Sequence, residues 1–137
     1  MMKRAWIFLA GVTALTAACS DESDTASKAT AAKPKDTAAV VTAANLPTPT
    51  DPVLARGKTV WAGTCQPCHG TGLGGAPTIG NKTLWAPRIA QGMDMLYGHA
   101  LKGFTGKQGE MPARGGNDKL SDDEVKAAVS FMVSQSR

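Results

Sequence analysis

An all-α fold is the expectation, and three observations carry it. Apolar residues recur at helical spacing in two stretches: Leu54, Gly57, Val60 and Trp61, then Val125, Ala128, Val129 and Met132. Each stretch opens on a helix start signal, Asp51-Pro52 for the first and Ser121-Asp122-Asp123-Glu124 for the second. No stretch alternates apolar and polar residues over a useful strand length, and there is no internal repeat.

The chain begins with Lys3 and Arg4, then runs uncharged from Ala5 to Ala18. A basic start, an apolar run and small residues at its end read as a secretory signal over residues 1–18. The run is shorter than the about 20 residues a membrane span needs. Residues 19–50 are rich in Ala, Thr, Ser, Lys and Asp, with Pro34, Pro47, Pro49 and no aromatic residue. Such a segment buries too little to offset its ordering entropy, so a disordered tether reaching about 30 Å is expected. The folded domain is then 51–137.

Asp51 as cap and Pro52 in the first turn start helix one. Gly57 costs about 1 kcal/mol against Ala in a helix, which fits a close crossing with another helix there. The helix runs into Cys65-Gln66-Pro67-Cys68-His69. Two cysteines three apart followed by histidine form the attachment signature of a c-type haem. The thiols of Cys65 and Cys68 bond the haem vinyl groups from one side of a helical turn. His69 then lies under the ring as an iron ligand. A disulfide, half a zinc site and a redox dithiol are the competing readings. Zinc wants a second ligand pair, and the only other cysteine, Cys19, lies in the leader. A redox dithiol wants a βαβ pattern around it, and none is visible.

Residues 70–80 form a glycine-rich loop. Without a preceding strand or a following Lys-Ser/Thr it does not read as a phosphate cradle. Backbone passing close to a flat cofactor explains the glycines better. Within it, the Pro77 carbonyl is placed to accept from the imidazole of His69, which would orient that ligand. Leu84–Gln91, with Trp85, Arg88 and Ile89, and Met93–Lys102, ended by Gly103, read as short helices. Residues 103–120 read as loop. The last helix follows its capping box at Ser121 and Glu124.

A second iron ligand is expected from Met93, Met95, Met111, Met132 or His99. Met93 and Met95 flank Asp94 on a helix, and Met132 lies on an apolar stripe, so core packing explains these well. Met111 lies in the extended stretch Gly109-Glu110-Met111-Pro112, where packing does not call for a large apolar residue. Pro112 biases it to an extended backbone. Met111 is the expected ligand, with simple loop anchoring as the competing role. Soft thioether sulfur favours ferrous iron and raises the potential.

With two cysteines used by haem, Cys19 would be a stray thiol in an oxidising compartment. Leu15-Thr16-Ala17-Ala18-Cys19-Ser20 resembles a lipobox, although the leucine stands one position early, so Cys19 is expected to carry lipid. Ordinary cleavage near Ala18 is the alternative. Ser20 resembles an outer-membrane sorting signal. The net charge is +4, of which Lys3 and Arg4 in the leader supply half. No basic cluster remains that argues for nucleic acid.

Together CQPCH, GLGGAP, LWAPR, GEMPARGG and LSDDEVKAAVSFM resemble a small class I cytochrome c, most similar to the bacterial cytochrome c-five group, over nearly all of 50–137. The resemblance implies crossed first and last helices around one covalent haem c, with Gly57, Trp61 and Phe131 at the crossing. It implies thioethers at Cys65 and Cys68 and axial ligation by His69 and Met111. It also places Trp85 and Arg88 beside the propionates. Some members carry a cysteine pair between the methionine loop and the last helix; here 114–120 holds none.

The expected function is single-electron transfer by a periplasmic, membrane-tethered carrier that is not itself an enzyme. Its partners would be electron donors and acceptors such as a membrane cytochrome complex or a terminal oxidase or reductase. The alternatives are an open-iron domain acting as peroxidase or gas sensor, and a subunit of a larger oxidase or dehydrogenase.

Overall fold

In the computed structural model, which describes residues 39–137, the chain from Pro52 to His69 is one helical rod with a change of pitch. Helix α1 spans Pro52–Val60; a π turn spans Trp61–Cys65; helix α2 spans Gln66–His69. Asp51 caps the rod through its carboxylate, which accepts from the Leu54 N–H at 2.9 Å. The π turn precedes the thiol motif directly, the kind of local unwinding that often marks functional sites.

Helix α3 spans Lys82–Ile89, α4 Met93–Lys102 and α5 Asp122–Gln135. The α3 start is set by Asn81, whose side chain accepts from Leu84 N–H at 3.1 Å. The α5 start is the expected reciprocal box: Ser121 Oγ accepts from Glu124 N–H, and Glu124 Oε2 accepts from Ser121 N–H at 2.8 Å.

Helices α1 and α5 pack across Gly57. A Cβ there would stand 2.6 Å from the Ala127 carbonyl carbon and 3.1 Å from Phe131 Cβ, so no larger residue fits without parting the helices. Trp61 and Phe131, both fully buried, meet beside this crossing with ring centroids 5.9 Å apart. The stripe Val125, Ala128, Val129 and Met132 is buried as expected, and Ala127, Phe131 and Val133 widen it.

The structure corrects the expectation in two places. Residues 103–120 are not all loop: strands β1 (Phe104–Gly106) and β2 (Gly109–Met111) pair antiparallel, Phe104 opposite Met111. Each is three residues long, below the length at which period-two patterning can be read. The segment before Asp51 is not wholly free of the domain either. Val41 N–H donates to the Gly70 carbonyl at 2.8 Å, and Lys58 Nζ donates to the Leu46 carbonyl at 2.7 Å. Val41, Ala43 and Leu46 pack against the core. Isolated apolar residues with no period gave no sign of this, because their partners lie across the fold. The expected signal, Cys19 and the first part of the tether lie outside the described residues.

Candidate functional site

The thiol motif ends the rod at His69, a residue only 8 % exposed. Its Nδ1 stands 2.9 Å from the Pro77 carbonyl oxygen. A carbonyl only accepts, so Nδ1 carries the proton and Nε2 keeps its lone pair. Burial lowers the His69 pKa below its ordinary value; the Pro77 bond opposes that shift and the Arg88 charge adds to it. A neutral, oriented imidazole is what metal ligation requires. The loop holding Pro77 is itself tied to the motif, since Ile79 N–H donates to the His69 carbonyl at 2.8 Å.

Both cysteines are free thiols. Burial, with Cys68 adding to it, pushes the Cys65 thiol up to about 11, so at neutral pH it is an uncharged SH group. This does not fit a redox dithiol, which depends on a depressed thiol pKa. Among the described residues no three His, Cys, Asp or Glu side chains gather as a metal-binding cluster, which does not fit the zinc reading.

Cys65, Cys68, His69 and Met111 line one cavity of about 480 Å³. Pro77, Trp85 and Arg88 line it too, so all seven residues read from sequence for this site converge there. Its walls are largely apolar, built from Leu96 and Ala100 of α4 and Val125, Ala128 and Val129 of α5. Two thiols, an imidazole and a thioether lining one cavity with an apolar surround fit an iron porphyrin bound through its edges and its metal.

Of the candidate second ligands, Met111, Met132 and His99 line the cavity, while Met93 packs against the core and Met95 is half exposed. Met132 is buried on α5. The His99 ring stacks on Phe104, centroids 4.1 Å apart. Trp85 and Arg88 are cavity neighbours, but their donors are engaged within the protein. Trp85 Nε1 donates to the Thr78 carbonyl at 2.9 Å, and Arg88 donates to the Leu84 carbonyl and the Gln108 side chain.

Sequence reasoning missed the seam that joins the two cavity-lining loops. A Cβ on Gly75 would stand 2.8 Å from the Gln108 carbonyl carbon, so the glycine-rich loop and the hairpin touch backbone to backbone. It also missed Phe104 and Arg114, both cavity-lining. Gly75 was visible as part of a glycine cluster; the other contacts have no local signature.

The family model described as "Cytochrome C oxidase, cbb3-type, subunit III" matches residues 52–132. The chain is 52 % identical to cytochrome c-555 of Chlorobaculum tepidum over 61 % of its own length and 77 % of that protein. It is 40 % identical to cytochrome c5 of Azotobacter vinelandii over 56 % of its length and 89 % of that protein. A solved structure described as the electron transfer complex of nitrite reductase with cytochrome c superposes with TM-score 0.54 at 38 % identity, covering 60 % of this chain and 95 % of that one. The chain belongs to the small c-type cytochromes of this family, mono-haem proteins of electron transfer that carry haem c covalently.

Proposed function

We propose that this chain is an exported, membrane-tethered electron carrier whose haem iron is held between His69 and Met111. The observation that carries the reading is the convergence of Cys65, Cys68, His69 and Met111 on one apolar cavity. Cys65 and Cys68 would hold the porphyrin by thioethers, and His69 Nε2 and Met111 Sδ would fill both axial positions. Bound there, the haem supplies reversible Fe(III)/Fe(II) chemistry. The chain's own residues set its conditions. Pro77 fixes the imidazole tautomer and raises its basicity. The apolar wall excludes water, and the thioether favours the ferrous state.

With the iron held by both His69 and Met111, no site would remain for a substrate, which supports a carrier rather than an enzyme. Leu73 and Phe104 line the cavity and are 64 % and 47 % exposed. They offer an apolar lip where donor and acceptor proteins could dock briefly; the solved complex of a related cytochrome c with nitrite reductase supports partners of that kind. Lipid at Cys19 and delivery to the periplasmic face of the outer membrane complete the reading. A second reading, a subunit of a larger oxidase, is favoured by the family model's description.

Expression in cells competent for cytochrome maturation, followed by mass spectrometry and redox titration, tests the proposal. One haem mass added to the chain, acyl chains on Cys19 and a reversible one-electron wave are expected. A protein without haem would refute the carrier, and one without acyl chains on Cys19 would refute the anchor. Co-purification with a fixed set of oxidase subunits would favour the second reading.

A further inference from the structure

We propose that Arg114 is a positioning residue: its guanidinium clasps the loop after Met111 to the start of α5 and so holds the thioether on the iron. This rests on the reading of Met111 as ligand. Arg114 is the one non-glycine residue at positive φ among those described, at φ 53° and ψ 25°. Gly115 and Gly116, which follow, also have positive φ. A glycine would adopt this backbone without strain, and an L side chain adopts it at a cost. A strained position filled by a large side chain points to work done by that side chain.

The work is visible in its contacts. One guanidinium nitrogen donates to the Leu120 carbonyl at 2.7 Å, and the other meets Asp122 Oδ1 at 2.6 Å. The arginine side chain is 28 % exposed, so the pair is only partly open to solvent. The contacts bridge from the residue three after Met111 to Leu120, just before the Ser121 cap, and to Asp122 in the first turn of α5. Backbone bonds continue the link on either side: Gly115 N–H donates to the Pro112 carbonyl at 3.1 Å, and Asn117 N–H to the Arg114 carbonyl at 3.2 Å. The same loop reaches the thiol side of the cavity, where Asn117 Nδ2 donates to Thr64 Oγ1 at 3.4 Å, one residue before Cys65. The segment 112–120 therefore lines the cavity beside Met111, and among the described residues Arg114 makes its one side-chain hydrogen bond to α5.

The clasp acts on the ease with which Met111 leaves the iron. Release of the tie lets the loop move outward and gives an added ligand easier access. The haem-loaded protein is titrated with imidazole in the ferric state for wild type, Arg114→Gly, Arg114→Lys and Asp122→Asn. The far-red sulfur-to-iron absorption band is followed in each. Arg114→Gly also removes the backbone strain, so its unfolding midpoint stays near that of wild type while imidazole binds about ten-fold tighter. Asp122→Asn moves affinity in the same direction by less, and Arg114→Lys lies between Gly and wild type, because an ammonium cannot reproduce the two-pronged contact.

A purely structural role would lower the unfolding midpoint and leave imidazole affinity unchanged, and that result overturns the clasp. Should Arg114→Gly fail to accumulate, Asp122→Asn decides alone: affinity equal to wild type overturns the proposal, and tighter binding supports it. A wild-type protein lacking the far-red band overturns the ligation reading, and the clasp's role with it. A wild-type band with variants indistinguishable from it overturns the clasp only.

Discussion

Phe104 stands directly across the hairpin from Met111 while its ring stacks on His99 of α4. The methionine is thus carried on a paired strand rather than on a free loop, and the strand is held to a helix by its neighbour's ring. A ligand that must stay bound through repeated changes of iron charge benefits from such a mount, because little has to move when the electron arrives.

Met111→Ala removes the thioether and leaves the mount. The reduction potential is expected to fall by on the order of 0.1 V, a fraction of the roughly 0.8 V that axial ligation spans. The ferrous protein is expected to bind carbon monoxide. Spectroelectrochemistry and a carbon monoxide difference spectrum check both. An unchanged potential would leave Met111 with a packing role only.

Gly57→Ala pits two effects against each other. Helix propensity favours Ala by about 1 kcal/mol. The new Cβ would stand 2.6 Å from the Ala127 carbonyl carbon at the α1–α5 crossing, and overpacking of that kind costs about 1–3 kcal/mol or more. The clash is with backbone and cannot be relieved by a rotamer change, so it wins. Denaturant unfolding of the haem-loaded protein is expected to show a net loss of about 1–2 kcal/mol.

Trp85→Phe keeps an aromatic ring, though a smaller one that gives up some packing in the core, and deletes the bond from Nε1 to the Thr78 carbonyl. Thr78 is buried, and its carbonyl would keep only the longer bond from Asn81 N–H at 3.2 Å, so the lost hydrogen bond costs about 0.5–1.5 kcal/mol. Haem attachment is expected to persist, since neither thiol is touched. The loss appears in the unfolding midpoint, and an unchanged midpoint would mean that the Asn81 bond alone satisfies the carbonyl.

The capping box makes α5 sensitive to acid. Hydrogen bonds from the Ser121 backbone and then its hydroxyl hold the Glu124 carboxyl below its ordinary pKa, with Arg56 adding to the shift and slight desolvation opposing it. A depressed carboxyl contributes stability that is fully present above its unfolded-state pKa and is lost as pH falls through the folded-state value. Unfolding free energy measured from about pH 6 down to pH 3 is expected to decline less steeply in Glu124→Gln than in wild type. Parallel slopes would show that the box does not hold in solution.

Features coded by neighbours in sequence were legible, and features coded across space were not. The caps at Asp51 and Ser121, the end of α4 before Gly103, the crossing at Gly57 and the Pro77 partner of His69 each rest on residues whose chemistry has few uses. The hairpin at 104–111 was not legible because three-residue strands carry no period. The packing of Val41, Ala43 and Leu46 against the core was hidden by the polar segment around them. Arg114 read as an ordinary loop arginine, since only the folded backbone reveals its positive φ and its two acceptors.

The claim on which the rest depends is a thioether bond from Met111 to the iron. Far-red absorption of the ferric haem-loaded protein, recorded beside that of Met111→Ala, tests it most directly. The account predicts a weak sulfur-to-iron band in the wild type that vanishes in the variant. A band absent from the wild type, or surviving the substitution, would contradict it.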